Sequence, residues 1–281
     1  VFLVYGDLND ELSLSKALSK ALPDFVFHLA AQSYPKTSFD SPIETLDTNV
    51  LGTVKLLESI RQLHLDPWIH VCSSSEVFGR VSRDKLPIAE DTNFHPASPY
   101  AISKTGTDLL GRFYAEAFGM KVLVTRMFTH TGPRRGDVFA ESSFAKQIAL
   151  IEQGLLLPVV EVGNLNSLRT FADVRDAVQA YHLLLTHNPI PGECYNIGGD
   201  YSCTVGQMLN TLLSYSTVSN IEIKVVQDRI RPIDADLQVP DTSKFTMHTG
   251  WKPQISFEQT MEDLLDYWRD KVGAGRHFLR R

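Results

Sequence analysis

Cysteine is scarce: Cys72, Cys194 and Cys203 are the only three among 281 residues. They are odd in number and scattered, with no close Cys or His ligand spacing, so a disulfide framework and a structural zinc site are both disfavoured, and no metal is expected. Long apolar runs are missing too. Nothing approaches the ~20 residues needed to span a bilayer, and no signal-peptide pattern opens the chain. Basic excess is also lacking, since 27 Lys and Arg against 33 Asp and Glu leave a formal net charge of −6. Sequence-independent nucleic-acid binding and polybasic membrane attachment need the opposite sign, so neither partner is expected. No internal repeat or low-complexity tract occurs. What remains is 43% hydrophobic, 21% charged and 10% aromatic, a composition that excludes disordered and collagen-like behaviour. A chain of this length buries about three quarters of its unfolded surface, as one large domain or two modest ones. These features predict a globular protein of a reducing compartment, the cytoplasm.

Apolar runs of strand length alternate with helix-length segments through the first two thirds. Val1–Tyr5, closed by Gly6-Asp7, has the pattern of a buried parallel strand. A helix is expected near 11–22, then a strand at 25–30 ending in Ala30-Ala31-Gln32-Ser33. A long helix over 42–63 follows, with Pro42 suited to its first turn. The strand 68–72 runs into Ser73-Ser74-Ser75-Glu76, and a helix over 99–118 precedes a strand over 121–128. Such a rhythm implies an α/β protein with a doubly wound parallel sheet. Beyond residue 130 the pieces are shorter: helices near 142–153, 173–186, 205–215 and 257–271, and strands at 159–162, 194–197 and 221–226. That fits a smaller C-terminal lobe over 131–281, with some elements crossing back to a first domain over 1–130.

Tyr100-Ala101-Ile102-Ser103-Lys104 is the strongest local signal. Positions i and i+4 share a helix face, so phenol and ammonium sit side by side and the cation favours the phenolate. Any helix can carry this pair, but here the strand end Ser73–Glu76 precedes it. Ligands of open α/β sheets bind beyond the carboxyl ends of the strands. Turn and N-cap use remains open for Ser73 and Ser75.

Several motifs then occur in a telling order: Asp7-Leu8, His28-Leu29-Ala30-Ala31-Gln32-Ser33, Asn49-Val50-Leu51-Gly52-Thr53, the Ser-rich strand end and Tyr-x-x-x-Lys. Together they resemble the extended short-chain dehydrogenase/reductases, with a Rossmann-type sheet. Arg126-Met127-Phe128-Thr129-His130-Thr131-Gly132-Pro133-Arg134-Arg135-Gly136 is similar to a segment of the GDP-mannose 4,6-dehydratases. Gly163–Arg169, Arg231-Pro232-Ile233-Asp234 and Asp241–Lys244 resemble their substrate lobe. The resemblance covers essentially the whole chain and implies an NADP- (or NAD-) dependent lyase that converts a GDP-hexose to its 4-keto-6-deoxy form. It implies Tyr100 as the base at the sugar C4 hydroxyl, Lys104 tuning Tyr100 and holding the nicotinamide ribose, Ser74 bonding the C4 oxygen, and Glu76 removing the C5 proton. It implies cofactor contacts at Asp7, Leu8, Leu29, Ala30, Ala31, Gln32, Ser33, His130 and Arg135. Substrate contacts are implied at Ser74, Tyr100, Thr129, Arg169, Arg231 and Asp234, with the two arginines facing the nucleotide diphosphate.

The chain also departs from that pattern. Thr129 replaces the usual asparagine, and Ser143 stands where dehydratases often carry a substrate-binding lysine. Phe144–Ile148 and Asp173–Asp176 look as much like GDP-4-keto-6-deoxymannose reductases, which carry the same Ser/Glu/Tyr/Lys set, whereas the Arg134-Arg135-Gly136 run favours the dehydratase. No G-x-x-G-x-x-G turn occurs to hold a pyrophosphate, so an omitted N-terminal βαβ segment is expected. A non-catalytic sugar-nucleotide-binding paralogue is the alternative from another class. Relatives pair through helices flanking the sheet, so a homodimer or homotetramer through 42–63 and 99–118 is expected.

Overall fold

Six consecutive buried residues, Val122–Met127, are the mark of a strand covered on both faces, as the centre of a parallel sheet requires. The computed structural model describes residues 1–233 and 235–276. In chain order the elements are α1 (Glu11–Ala21), β1 (Phe25–His28), α2 (Pro35–Asp40), α3 (Pro42–Leu46), α4 (Gly52–Gln62), β2 (Trp68–Cys72), α5 (Pro99–Phe118) and β3 (Val122–Met127). They continue with β4 (His130–Thr131), α6 (Ala140–Glu152), β5 (Val159–Val162), β6 (Leu168–Asp173), α7 (Val174–Thr186), β7 (Cys194–Ile197), β8 (Tyr201–Thr204) and α8 (Val205–Ser214). The last are β9 (Glu222–Val225), β10 (Leu237–Gln238), α9 (Ser243–Thr249) and α10 (Phe257–Gly273). Among the described residues, no helix is long and apolar enough to cross a membrane.

Two units emerge. The first comprises Val1–Met127, Gln179–Ile197 and Asp241–Trp251; the second comprises Phe128–Val178, Gly198–Pro240 and Lys252–Arg281. The first unit is built on a four-stranded sheet of order β1-β2-β3-β7, every pair parallel. This is the Rossmann-type α/β architecture expected. One face is packed by Leu56, Leu57 and Ile60 of α4 and Tyr114 of α5 against Ile69, Val71, Val122 and Val124. The second unit places β6 between β4 and β10, with β8 antiparallel on β6, and pairs β5 with β9. Its core joins Phe144 and Ile148 of α6, Met208 and Leu212 of α8, and Met261, Leu264 and Leu265 of α10.

The run Val1–Tyr5 corrects the sequence reading. It forms no strand, and Phe2 is 97% exposed. Apolar composition supplies no partner for backbone N–H and C=O groups, and among the described residues no strand pairs with this one. The expected helix over 42–63 is also interrupted. Pro42–Leu46 and Gly52–Gln62 are α-helical, but Asp47–Leu51 is a π-helical turn. By contrast α5 spans the expected residues, because its ends are written locally. Ser98 caps the start by accepting the Ala101 N–H at 3.0 Å, Pro99 takes the first turn, and Gly119 ends it at φ 66°.

Three histidines, His28 and His70 buried and His130 half-buried, are held as neutral rings in this fold. Burial, reinforced by the Lys104 charge, lowers His28 from 6.5 to about 4. Burial first, then His28 and Lys104, lowers His70 to about 3. In the second unit, burial and then Arg135 lower His130 to about 4. The unfolded chain therefore binds more protons than the folded one below pH ~6.5, and stability falls as pH drops from there toward 4. Each histidine contributes a slope of about 1.4 kcal/mol per pH unit in the lower part of that window. Urea denaturation at half-unit steps between pH 7 and 4.5 should show this decline, and His28→Gln should remove about one histidine's share of the slope. An equally steep decline in His28→Gln would contradict it.

Candidate active site

The C-terminal end of β2 alternates strictly. Cys72, Ser74 and Glu76 are half-exposed, while Ser73, Ser75 and Val77 are buried. The buried set is structural. Ser73 donates its N–H to the Thr125 carbonyl at 2.8 Å and its hydroxyl to the Lys104 carbonyl at 3.3 Å. Ser74 is extended and its Oγ accepts the Glu76 N–H at 3.2 Å, so it caps the 3₁₀ turn Ser75–Phe78 that carries Glu76. This turn packs against α5.

Tyr100 and Lys104 stand on the first two turns of α5 and are both buried. The Lys104 ammonium lies 6.0 Å from the Tyr100 ring centroid and donates to the Cys72 carbonyl at 2.8 Å. Burial pulls the lysine's pKa below its ordinary value, partly opposed by Cys72. The strand end and the Tyr/Lys helix thus meet directly at Cys72, Ser73 and Lys104.

The loop Leu29–Ser33 leaves the C-terminal end of β1. Leu29, Ala30 and Ser33 are exposed, and Ala31 and Gln32 half-exposed. Its conformation is held by Asn49, a residue given no role by sequence reasoning. The Asn49 amide accepts the Gln32 N–H at 2.8 Å and donates to the Gln32 carbonyl at 3.0 Å. It also donates to Ser103 Oγ at 2.8 Å, which in turn donates to the Tyr100 carbonyl at 2.7 Å. Asn49 sits in the π-helical turn, a feature common at functional sites, and period-3.6 patterning carries no signal for it. Asp7 and Leu8 lie earlier in the same unit. Asp7 Oδ1 accepts the Asn9 N–H at 2.8 Å, and Leu8 packs on the α4 start, where a Cβ on Gly52 would come within 2.8 Å of it.

The remaining predicted residues belong to the second unit. Thr129 is half-exposed and its carbonyl accepts the Ala172 N–H at 2.9 Å. His130 pairs with Ala172 in the β4–β6 ladder, its Nδ1 lying 3.4 Å from the Phe128 carbonyl. Arg135 lies over the Phe139 ring at 3.5 Å, with its Nε 3.8 Å from Glu141. Arg169 donates to the Ala235 carbonyl, and Arg231 is half-exposed. Asp234 lies outside the described residues. At Ser143 the missing lysine has a cationic neighbour, since Arg229 Nη1 donates to Ser143 Oγ at 3.2 Å. Among the described residues, no group of three or more His, Cys, Asp or Glu side chains is placed to hold a metal ion.

Comparison with known proteins follows the same lines. The profile of the family described as GDP-mannose 4,6 dehydratase matches residues 1–264. GDP-6-deoxy-D-mannose reductase of Pseudomonas aeruginosa is 36% identical over 253 residues, covering 89% of this chain and 82% of the relative. GDP-mannose 4,6 dehydratase 1 of Arabidopsis thaliana is 32% identical, covering 94% and 73%. The structure of RMD from Pseudomonas aeruginosa complexed with NADPH superposes with a TM-score of 0.87 at 35% identity, covering 95% of this chain and 88% of that one.

The Asn49 clamp has a measurable consequence. Asn49→Ala removes the two part-buried bonds to Gln32 and the bond to Ser103, each worth about 0.5–1.5 kcal/mol. Stability should drop by roughly 2–4 kcal/mol, and amide exchange at Gln32 should speed at least about tenfold. Unchanged protection at Gln32 would remove Asn49 from this role.

Proposed function

Because the chain belongs to the GDP-mannose 4,6-dehydratase family, we propose that it is an NADP(H)-dependent enzyme acting at C4 of a GDP-linked hexose, and that it dehydrates GDP-mannose to the 4-keto-6-deoxy sugar nucleotide. The observation supporting this reading is the contact of Lys104 with Cys72, which joins the helix bearing Tyr100 and Lys104 to the carboxyl end of β2, from which the turn with Ser74 and Glu76 continues. On this reading the first unit binds the dinucleotide and the second the sugar nucleotide.

The residues present fit a dinucleotide. Leu29–Ser33 forms an accessible, largely apolar loop at the end of a parallel strand. Lys104 has three donors, and the one given to Cys72 leaves an ammonium able to bond a ribose hydroxyl. Asp7 and Leu8 suit the adenine. When bound, the nicotinamide supplies the hydride acceptor and donor. The protein's own work is with protons. Tyr100 Oη takes the C4 hydroxyl proton, with the buried Lys104 charge favouring the phenolate. Ser74 Oγ bonds the C4 oxygen and keeps it oriented. Glu76 takes the C5 proton, acidified by the new ketone, and passes it to the departing C6 hydroxyl, which leaves as water. Arg169 and Arg231 supply forked donors for the diphosphate, and Thr129 adds a sugar contact.

A second reading has its own support. The Pseudomonas aeruginosa reductase is 36% identical to this chain, against 32% for the Arabidopsis thaliana dehydratase, and Ser143 departs from the dehydratase pattern. In this reading Tyr100 gives a proton to the C4 oxygen of the keto-sugar instead of taking one. Incubation with GDP-mannose and trace NADP, and separately with the keto-sugar and stoichiometric NADPH, distinguishes the two by product. For the dehydratase, Glu76→Gln should slow dehydration by roughly 10²–10⁴-fold while still oxidising C4, so that absorbance of reduced nicotinamide appears. Tyr100→Phe should abolish that absorbance. Near-parental turnover by Glu76→Gln would end the dehydratase reading.

The assembly proposal rests on the helices outside the sheet. Ile43 is 83% exposed, and Leu51, Ile102, Leu109 and Phe113 are each about half exposed. Ile102, Leu109 and Phe113 share one face of α5 by helical spacing, an exposed apolar stripe of the kind that marks an interaction face, and we assign it to a second copy of the chain. Sedimentation equilibrium should give a dimer or tetramer at micromolar concentration, and Leu109→Glu with Phe113→Glu should give a monomer. A monomeric parent would overturn the assignment.

A further inference from the structure

Arg126 is 1% exposed and among the largest fully buried side chains of the molecule. It stands on β3, in the first unit, and none of the proposed chemistry uses it. All three of its nitrogens are committed. Nε and Nη2 form a two-pronged bond to the Asp108 carboxylate at 2.7 and 3.0 Å, and Nη1 donates to the Glu90 carbonyl at 2.6 Å. The guanidinium also lies against two rings, 5.4 Å from the centroid of Phe78 and 4.7 Å from that of Phe94, which pack edge to face on each other at 5.9 Å.

Each of these partners belongs to a piece of backbone that carries or braces the candidate groups. Asp108 lies one helical turn beyond Lys104 on α5. Phe78 closes the 3₁₀ turn that begins after Ser74 and holds Glu76. At its end Gly79 takes φ +52°, where a Cβ would fall 1.7 Å from the His95 carbonyl oxygen, so the turn is pressed onto the following loop. Glu90 and Phe94 belong to that loop, which is pinned to β7 where the Asn196 N–H donates to Glu90 Oε1 at 2.8 Å. We infer that Arg126 is a positioning residue: its planar fork holds the Tyr100–Lys104 helix in register with the turn bearing Ser74 and Glu76.

The physical reason lies in the fork. A two-pronged bond to a carboxylate fixes the rotation of α5 and its position along its axis, because both donors keep their geometry only at one register. The edge-to-face rings, both under the guanidinium, tie the turn to the loop that follows it. An apolar pair of similar volume could fill this space, and replacing a buried ion pair in that way is often neutral for stability. It would not reproduce the directional bonds. The inference rests on the proposed role of Tyr100 and predicts a defect in alignment that is separable from a defect in folding.

Two variants test it, Arg126→Lys and the double variant Arg126→Met with Asp108→Leu. The double variant should keep the parental melting temperature to within about 5 °C yet lose roughly 10- to 100-fold in kcat with KM changed by less than about threefold. Arg126→Lys keeps the charge without the fork and should fall between; it also serves if the double variant does not fold. A readout independent of turnover is the ¹³Cζ resonance of Tyr100, assigned by its disappearance in Tyr100→Phe and followed with pH. Its titration midpoint should move in both variants, because the helix carrying the ring is no longer fixed against the turn bearing Ser74 and Glu76, whereas Lys104 stays beside it on the same helix face. An unchanged midpoint overturns the inference whatever the turnover. Should the parent convert neither GDP-mannose nor the keto-sugar, the functional reading falls, and the Tyr100 titration still decides the role of Arg126.

Discussion

An ammonium group buried beneath the end of a parallel strand is the constraint on which the first unit's site depends. Lys104 is 6% exposed, and a charge taken from water must find oxygen partners or lose its proton. Its partner is the carbonyl of Cys72, the last residue of β2. The bond is reciprocated through Ser73, whose hydroxyl donates to the Lys104 carbonyl. Helix and strand end are therefore locked by two hydrogen bonds of opposite sense. Everything that follows Cys72, including the capped turn with Glu76, takes its place from that junction.

Polar groups, rather than apolar ones, carry the connections around it. Asn49 holds the loop after β1 and reaches Ser103 on α5. His28 bonds Thr53 at 2.9 Å, and Thr53 donates to the Asn49 carbonyl at 2.6 Å. His70 bonds Thr125 at 2.7 Å on the neighbouring strand. These rings are neutral because burial and the nearby lysine make a second positive charge unaffordable. The outcome is a network with fixed donors and acceptors, stiffer than a purely apolar packing would be.

Much of this was legible in the residue order, and the successes share a cause. β2, β3, β7 and α5 were recognisable because their signals are local: continuous apolar residues, a Ser cap, a first-turn proline and a terminal glycine. The Tyr100–Lys104 pair was legible because helical spacing alone puts both on one face. Val1–Tyr5 was misread for the complementary reason. Its composition is that of a strand, but strand formation is a two-body event. The break at Asp47–Leu51 was invisible too, because the same apolar positions serve a π-helical turn and an α-helix.

By itself the sequence determined the alternation of strands and helices, the parallel sheet, the helix ends and the residue types able to move a proton. These follow from backbone geometry and side-chain chemistry within a few residues of each other. Tertiary structure alone decided which carbonyl receives the Lys104 ammonium, which side chain holds the loop Leu29–Ser33, and that Asp108 and Arg126, 18 positions apart, share one carboxylate–guanidinium fork. Those pairings depend on how far one element is rotated and shifted against another. No local pattern encodes that quantity; it is set only when the side chains of both elements must fill one volume and satisfy one another's hydrogen bonds.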